Sequence, residues 1–325
     1  MGKLIIKRIL QVIPMLFIVS IVCYFIMKAA PGNPIQMYMN PHMNYKQIEI
    51  IRKNLGLDRP IIIQYFCWLK EVLHGNFGNS LVSFTPVSQE ILERLVPTII
   101  LSGVSMVATF ILGIFLGVIG GIHRNDYIGR IIDIFSNISI AMPSFLLALI
   151  LIIVFTVELN LLPSIGMYGI GDKTIGSLIL HLIMPVTAVV LTDVGGIIQY
   201  IKNSIEIEAD KDYVRTALGK GLSKEKVFYG HILKNSILPV VTLVGLSLPN
   251  IVMGSVVIEQ IFGWPGIGRM AYNAVTSFDY PAIMATTLLA SVLLIIGNLI
   301  SDILYIVIDP RVKGGLKWLK RYGIA

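Results

Sequence analysis

Charge is what this sequence lacks most. Only 14% of its 325 residues are Asp, Glu, Lys or Arg, against roughly 25% in a soluble domain. Hydrophobic residues make up 55% of the chain and the mean hydropathy is +0.79. That is too little charge to cover a water-soluble globule, and it points to an integral membrane protein. Cysteine is scarce as well. Cys23 lies in an apolar run and Cys67 in a polar segment, so two free thiols are expected and no disulfide scaffold. The motifs G-x-x-x-x-G-K-[ST], H-E-x-x-H, G-x-S-x-G and C-x-x-C are all missing, which removes the usual nucleotide-hydrolysing, metalloprotease, esterase and redox patterns. The five histidines are scattered and suggest no metal centre. The chain is therefore expected to be non-catalytic, with no metal and no cofactor of its own.

What the sequence has is long apolar stretches. Runs at 9–27, 95–122, 134–157, 176–201, 235–258 and 282–301 each approach or exceed the ~20 residues that a helix needs to cross the hydrocarbon core. In lipid the backbone must satisfy its own hydrogen bonds, so uninterrupted runs favour helices over barrel strands. The expected fold is all-α, with six transmembrane helices. The first run is longer than a signal-peptide core and lacks a small-residue cleavage site, so it reads as a retained span.

The net charge of +7 could suggest nucleic acid, but its placement argues otherwise. Seventeen of the 26 Lys and Arg fall in segments 1–8, 123–133, 202–234 and the tail after 309, whereas the short loops 158–175 and 259–281 hold only Lys173 and Arg269. This bias orients the chain by the positive-inside rule, with both termini cytoplasmic. The tail residues Lys313, Lys317, Lys320 and Arg321 are open to a further polybasic contact with membrane lipid. No nucleic-acid partner is expected.

The pattern divides the chain into an N-terminal span (1–30), an extracellular helical segment (31–94), a five-helix core (95–310) and a cytoplasmic tail (311–325). In the extracellular segment, Ile48, Ile51 and Leu55, then Tyr65, Trp68, Leu69 and Val72, recur at helical spacing around a Gly56 to Pro60 break. Two short helices are expected there. Pro97 is expected to open the second apolar run.

One inner connection is long. It runs about thirty-five residues from Ile201 to Pro239, with a polar, basic loop at about 202–234, whereas connections that only rejoin helices are short. Asp210 or Asp212 can cap a first helix that ends at Gly219 and Gly221, and a second helix begins near Ser223. Composition alone fits a knob for a partner's groove as well as it fits an interfacial helix pair resting on lipid headgroups.

The stretch "DYVRTALGKGL" (212–222) resembles the cytoplasmic EAA loop of binding-protein-dependent ABC transporter permeases, with Thr216, Ala217 and Gly221 in the motif's small-pair and glycine places. "KAAPGNP", "NLGLDRPIIIQYFCWL", "GNFGNS", "VVIEQIFGWPGIGRM", "SFDYPAI" and "GNLISDILYIVIDPRV" follow the order of the B-type permease subunit of the oligopeptide/dipeptide/nickel importers, so the likeness covers almost the whole chain. Leu218, Gly219, His231, Lys234 and Gln199 depart from the usual pattern.

The resemblance implies a type I ABC importer permease fold in a bacterial or archaeal cell membrane. It implies a homologous C-type permease partner, two ATP-binding subunits that use ATP and Mg, and an extracellular or periplasmic solute-binding protein. Asp212, Tyr213, Arg215, Thr216, Ala217, Lys220, Gly221 and Leu222 would form the coupling loop that docks on the ATP-binding subunits. Peptides are the implied cargo, with nickel or a metal chelate as the alternative. Asp193 is the carboxylate inside a span and so a candidate for the substrate pathway, its other reading being a structural partner for a nearby Lys or helix end. Trp264, Pro265 and Gly266 form either a rigid turn or part of an outer gate. A carrier or channel acting alone would call for several intramembrane ionisable residues or an inverted repeat, and neither pattern is present.

Overall fold

The structure, a computed structural model, describes residues 2–29 and 58–308. The first expected outer helix, around Ile48 to Leu55, and the basic tail lie outside the described residues. The elements in chain order are α1 (Gly2–Ala29), α2 (Ile61–Leu73), α3 (Val87–Ile122), α4 (Tyr127–Ala141), α5 (Ser144–Leu151), α6 (Ile175–Ala209), α7 (Asp212–Gly219), α8 (Lys224–Val227), α9 (Leu233–Met253), α10 (Val256–Ile261), α11 (Ile267–Thr276) and α12 (Tyr280–Ile308). π-helical turns follow α5 (Ile152–Glu158) and α8 (Phe228–Ile232). Among the described residues there are isolated β-bridges but no strand.

Among the described residues three helices, α3, α6 and α12, are long and apolar enough to cross a membrane, and α4 with α5 makes a fourth crossing if the bent pair counts as one. That pair corrects the expected continuous run over 134–157. The chain turns by 101° between α4 and α5, at extended Met142 and Pro143. Proline lacks an N–H and pushes the residue before it out of the helical region, which breaks the helix there. Pro97 opens the apolar run but not the helix: α3 starts ten residues earlier at Val87, where a cap near Val87 or Ser88 is expected from the sequence.

The core is built on the contact of α3 with α6. Gly113, Gly117 and Gly121 recur every fourth residue and so share one face of α3. A methyl group added at these positions would lie 2.6 Å from Ile197, 2.8 Å from Ile201 and 2.9 Å from Ile205 of α6. Small residues facing a β-branched ridge let the backbones approach closely, which drives packing in lipid, where apolar burial gives no net advantage. Ser139 of α4 adds a polar tie by accepting the Gly195 N–H at 3.0 Å and donating to the Leu191 carbonyl at 2.5 Å. The outward faces stay apolar: Ile111, Phe115 and Ile131 are each more than 60% exposed in the isolated chain, as suits contact with lipid or a partner subunit.

Candidate functional site

The connection between α6 and α9 is shorter than its polar composition suggests. α6 continues past its apolar run to Ala209 and α9 begins at Leu233, so Lys202 is helical, and its ammonium holds both oxygens of Asp133 on α4 at 2.5 and 2.7 Å. What remains is a compact knob made of α7, α8 and the π-helical turn. No side chain caps α7, whose Asp212 lies in the first turn, whereas the Ser223 hydroxyl accepts the Lys226 N–H at 3.4 Å at the start of α8. Gly221 joins the two helices at φ +81°, a left-handed conformation costly for any residue with a Cβ.

The knob has a buried side and an open side. Val214, Ala217, Val227 and Ile232 are buried against Phe110 of α3, Ile201 and Ile205 of α6 and Val240 of α9. Tyr213, half-buried, donates its hydroxyl to Glu208 Oε2 at 2.6 Å and accepts from Asn235 Nδ2 at 3.2 Å. Burial, then the Glu208 contact, pushes its phenol pKa up. Ser204 and Ser236 exchange hydroxyl-to-carbonyl bonds of 3.1 and 3.3 Å between α6 and α9. Asp212, Arg215, Thr216, Lys220, Gly221 and Leu222 are exposed. Of the expected docking residues, then, Ala217 packs inward and offers no surface. The open face includes Leu218, Leu222 and Tyr229, at 40%, 40% and 63% exposure, an apolar contribution that the polar spelling hid.

Asp193 opens into a cavity of about 640 Å³. Ser105 and Thr109 of α3, Ser144 of α5 and Ser247 of α9 line the same space. Among the described residues no Lys or Arg forms an ion pair with Asp193.

On the other side of the cavity, α9 ends at Met253 and a turn-rich loop follows. Trp264 is fully buried, its indole N–H donating to the Pro97 carbonyl at 2.9 Å and its backbone N–H to the Glu259 carbonyl at 2.8 Å. Gly266 is buried and precedes α11, while Pro265 is half-buried. Glu259, which sequence reasoning passed over, is fully buried beneath this turn. The available signal was a lone carboxylate in "VVIEQIFGWPGIGRM", followed by a glycine-rich turn able to offer backbone N–H groups.

Residues 109–314 match the family model for the binding-protein-dependent transport system inner membrane component, and residues 1–102 match the model for the N-terminal part of such membrane components. The chain belongs to this family. Among its relatives, the oligopeptide transport system permease protein AppB of Bacillus subtilis is 38% identical over 315 residues, spanning 96% of this chain and all of AppB. The glutathione transport system permease protein GsiC of Escherichia coli K12 is 36% identical over 318 residues, covering 96% and 99% of the two chains. A chain of the MetNI methionine ABC transporter, solved in inward-facing conformations, shares the fold with a TM-score of 0.52 at 16% identity, over 67% of this chain and 96% of that one. This family member is accordingly a multi-pass inner-membrane component of a transport system that works with a binding protein. Along α3, the buried turn meets Pro97 and Thr98, the cavity is lined by Ser105 and Thr109, and the knob's cluster includes Phe110.

Proposed function

We propose that this chain is the translocation subunit of an ATP-driven importer of peptides, with six spans in a type I permease fold and both termini in the cytoplasm. A homologous C-type permease would complete the conduit. Two ATP-binding subunits would supply the energy, and a solute-binding protein would deliver cargo to the outer face. The peptide assignment rests on the oligopeptide and glutathione permeases that resemble it end to end.

The observation that carries the coupling role is the two-sided knob. Its inner side is packed on α3, α6 and α9, and its outer side leaves Arg215, Lys220 and Leu222 free. A rigidly mounted, exposed helix pair can pass a push from a partner into three helices at once. The push does work only if the partner contacts the knob differently in its ATP-bound and ATP-free states. Cargo would pass the Asp193 cavity, where the carboxylate meets a cationic group such as a peptide amino terminus. The Trp264 to Gly266 turn would form part of the outer gate.

The test is Gly221→Asp in the assembled complex. A side chain at φ +81° distorts the join between α7 and α8. The expected result is a normally inserted protein whose complex no longer links ATP hydrolysis to uptake. Normal transport by this variant would refute the docking role.

A further inference from the structure

Glu259 is a buried acid that the coupling scheme leaves without a task. Burying a carboxylate is costly unless hydrogen bonds or a counter-charge replace its water. Among the described residues no basic side chain forms an ion pair with it. Arg94 of α3 acts on it only at longer range and is 3.9 Å from Glu90, and the Arg269 guanidinium turns instead to the Gly263 carbonyl at 2.6 Å.

Backbone donors take the place of a counter-charge. Glu259 Oε2 accepts the Arg269 N–H at 2.8 Å, and the Gly268 N–H favours the charged form of the carboxylate. Oε1 accepts the Thr98 hydroxyl of α3 at 3.3 Å, and that hydroxyl accepts the Ile267 N–H at 2.8 Å. Of the first three N–H groups of α11, which have no partner inside their own helix, those of Ile267 and Arg269 are thus taken by two side chains from other elements. The fit is close: a methyl group on Gly254 or Gly266 would run into the Glu259 carboxylate, and one on Gly268 would come within 2.9 Å of it.

We propose that Glu259 is the positioning residue of the outer gate: with Thr98 it clamps the start of α11 to α3, so that α3 and the Trp264 turn move as one piece. α3 also reaches the knob, since Phe110 packs in the cluster that holds Val214 and Ala217. One helix therefore joins the driven end to the gated end. The inference rests on the reading of the Trp264 turn as a gate.

The test uses the assembled importer with its ATP-binding subunits. Spin labels are placed at the exposed Leu92 of α3 and Tyr272 of α11, and their separation is read by pulsed electron resonance with and without trapped ATP. The expected result is one narrow distance, the same in both nucleotide states, which broadens and becomes nucleotide-dependent in Glu259→Ala and in Thr98→Val. In proteoliposomes these variants lose ten-fold or more in trialanine uptake per ATP hydrolysed, and Glu259→Gln, which keeps the shape and one acceptor oxygen, recovers most of the loss. A natural protein whose distance changes with nucleotide overturns the proposal, as do variants whose distance stays narrow and fixed. Thr98→Val decides the matter if Glu259→Ala fails to assemble. The distance needs no cargo, so absence of trialanine uptake by the unaltered complex tells against the peptide reading and leaves the clamp to be judged by the labels.

Discussion

The Trp264 turn and the knob meet α3 at different points along its length, the first at Pro97 and the second at Phe110, and are built in opposite ways. In the outer turn the most polar group, Glu259, and the largest side chain, Trp264, are both fully buried, and hydrogen bonds tie both to α3 or α11. In the knob the buried part is a modest apolar strip, and most of the charged side chains are exposed and form no ion pair among the described residues. One end is held by its own residues and the other is left to be held by something else. Rigidity and availability are thus separated along α3, which touches both ends.

The strongest way to break this contrast is Trp264→Ala. It removes a fully buried indole and its bond to Pro97, and is expected to cost about 3–5 kcal/mol, seen as a large fall in the thermal unfolding midpoint of the purified protein. Next comes pH. Burial pushes the Glu259 carboxyl up from 4.5 to about 7, against the hydrogen bonds from Arg269 and Thr98 and the Gly268 N–H. The folded protein then keeps a proton that the unfolded chain releases. Stability should therefore fall as pH rises from about 4.5 to about 7 and level off above, by on the order of 3 kcal/mol. Glu259→Gln should flatten the profile of unfolding midpoint against pH, and an unchanged slope would count against the buried acid as its source.

Tyr213→Phe sharpens the comparison from the inner side. It deletes the hydroxyl that bridges Glu208 and Asn235, for an expected loss of about 1–2 kcal/mol and a few-fold weaker ATPase response to the loaded binding protein. The smallest effect on stability belongs to the paired change Arg215→Ala and Lys220→Ala. Both sites are exposed, so unfolding should shift by no more than about 0.5 kcal/mol. Recovery of the ATP-binding subunits with the purified chain should nevertheless drop sharply. A variant that unfolds early yet still copurifies its ATPase would reverse the assignment of the two ends.

Much of this protein can be read from residue order alone. Runs of about twenty apolar residues require helices in lipid because no other local structure closes its own hydrogen bonds there. The uneven placement of Lys and Arg suggests orientation, and Gly221 after a short helix marks the turn of the knob. Those features are local, set by a residue and its near neighbours in the chain. The 101° bend was half legible, since Pro143 marks a break but not its angle. The spacing put Tyr213, Val214 and Ala217 on one side of α7 and Arg215 and Lys220 on another, but only contact with Phe110 and Ile201 decided that the first side is the covered one. Glu259 was hidden for the same reason. Its partners, Thr98 and the start of α11, stand 161 and 10 residues away along the chain, and a carboxylate is tolerable in a dry site only when donors converge on it. That convergence is a property of packed helices in three dimensions, and tertiary structure alone decided it.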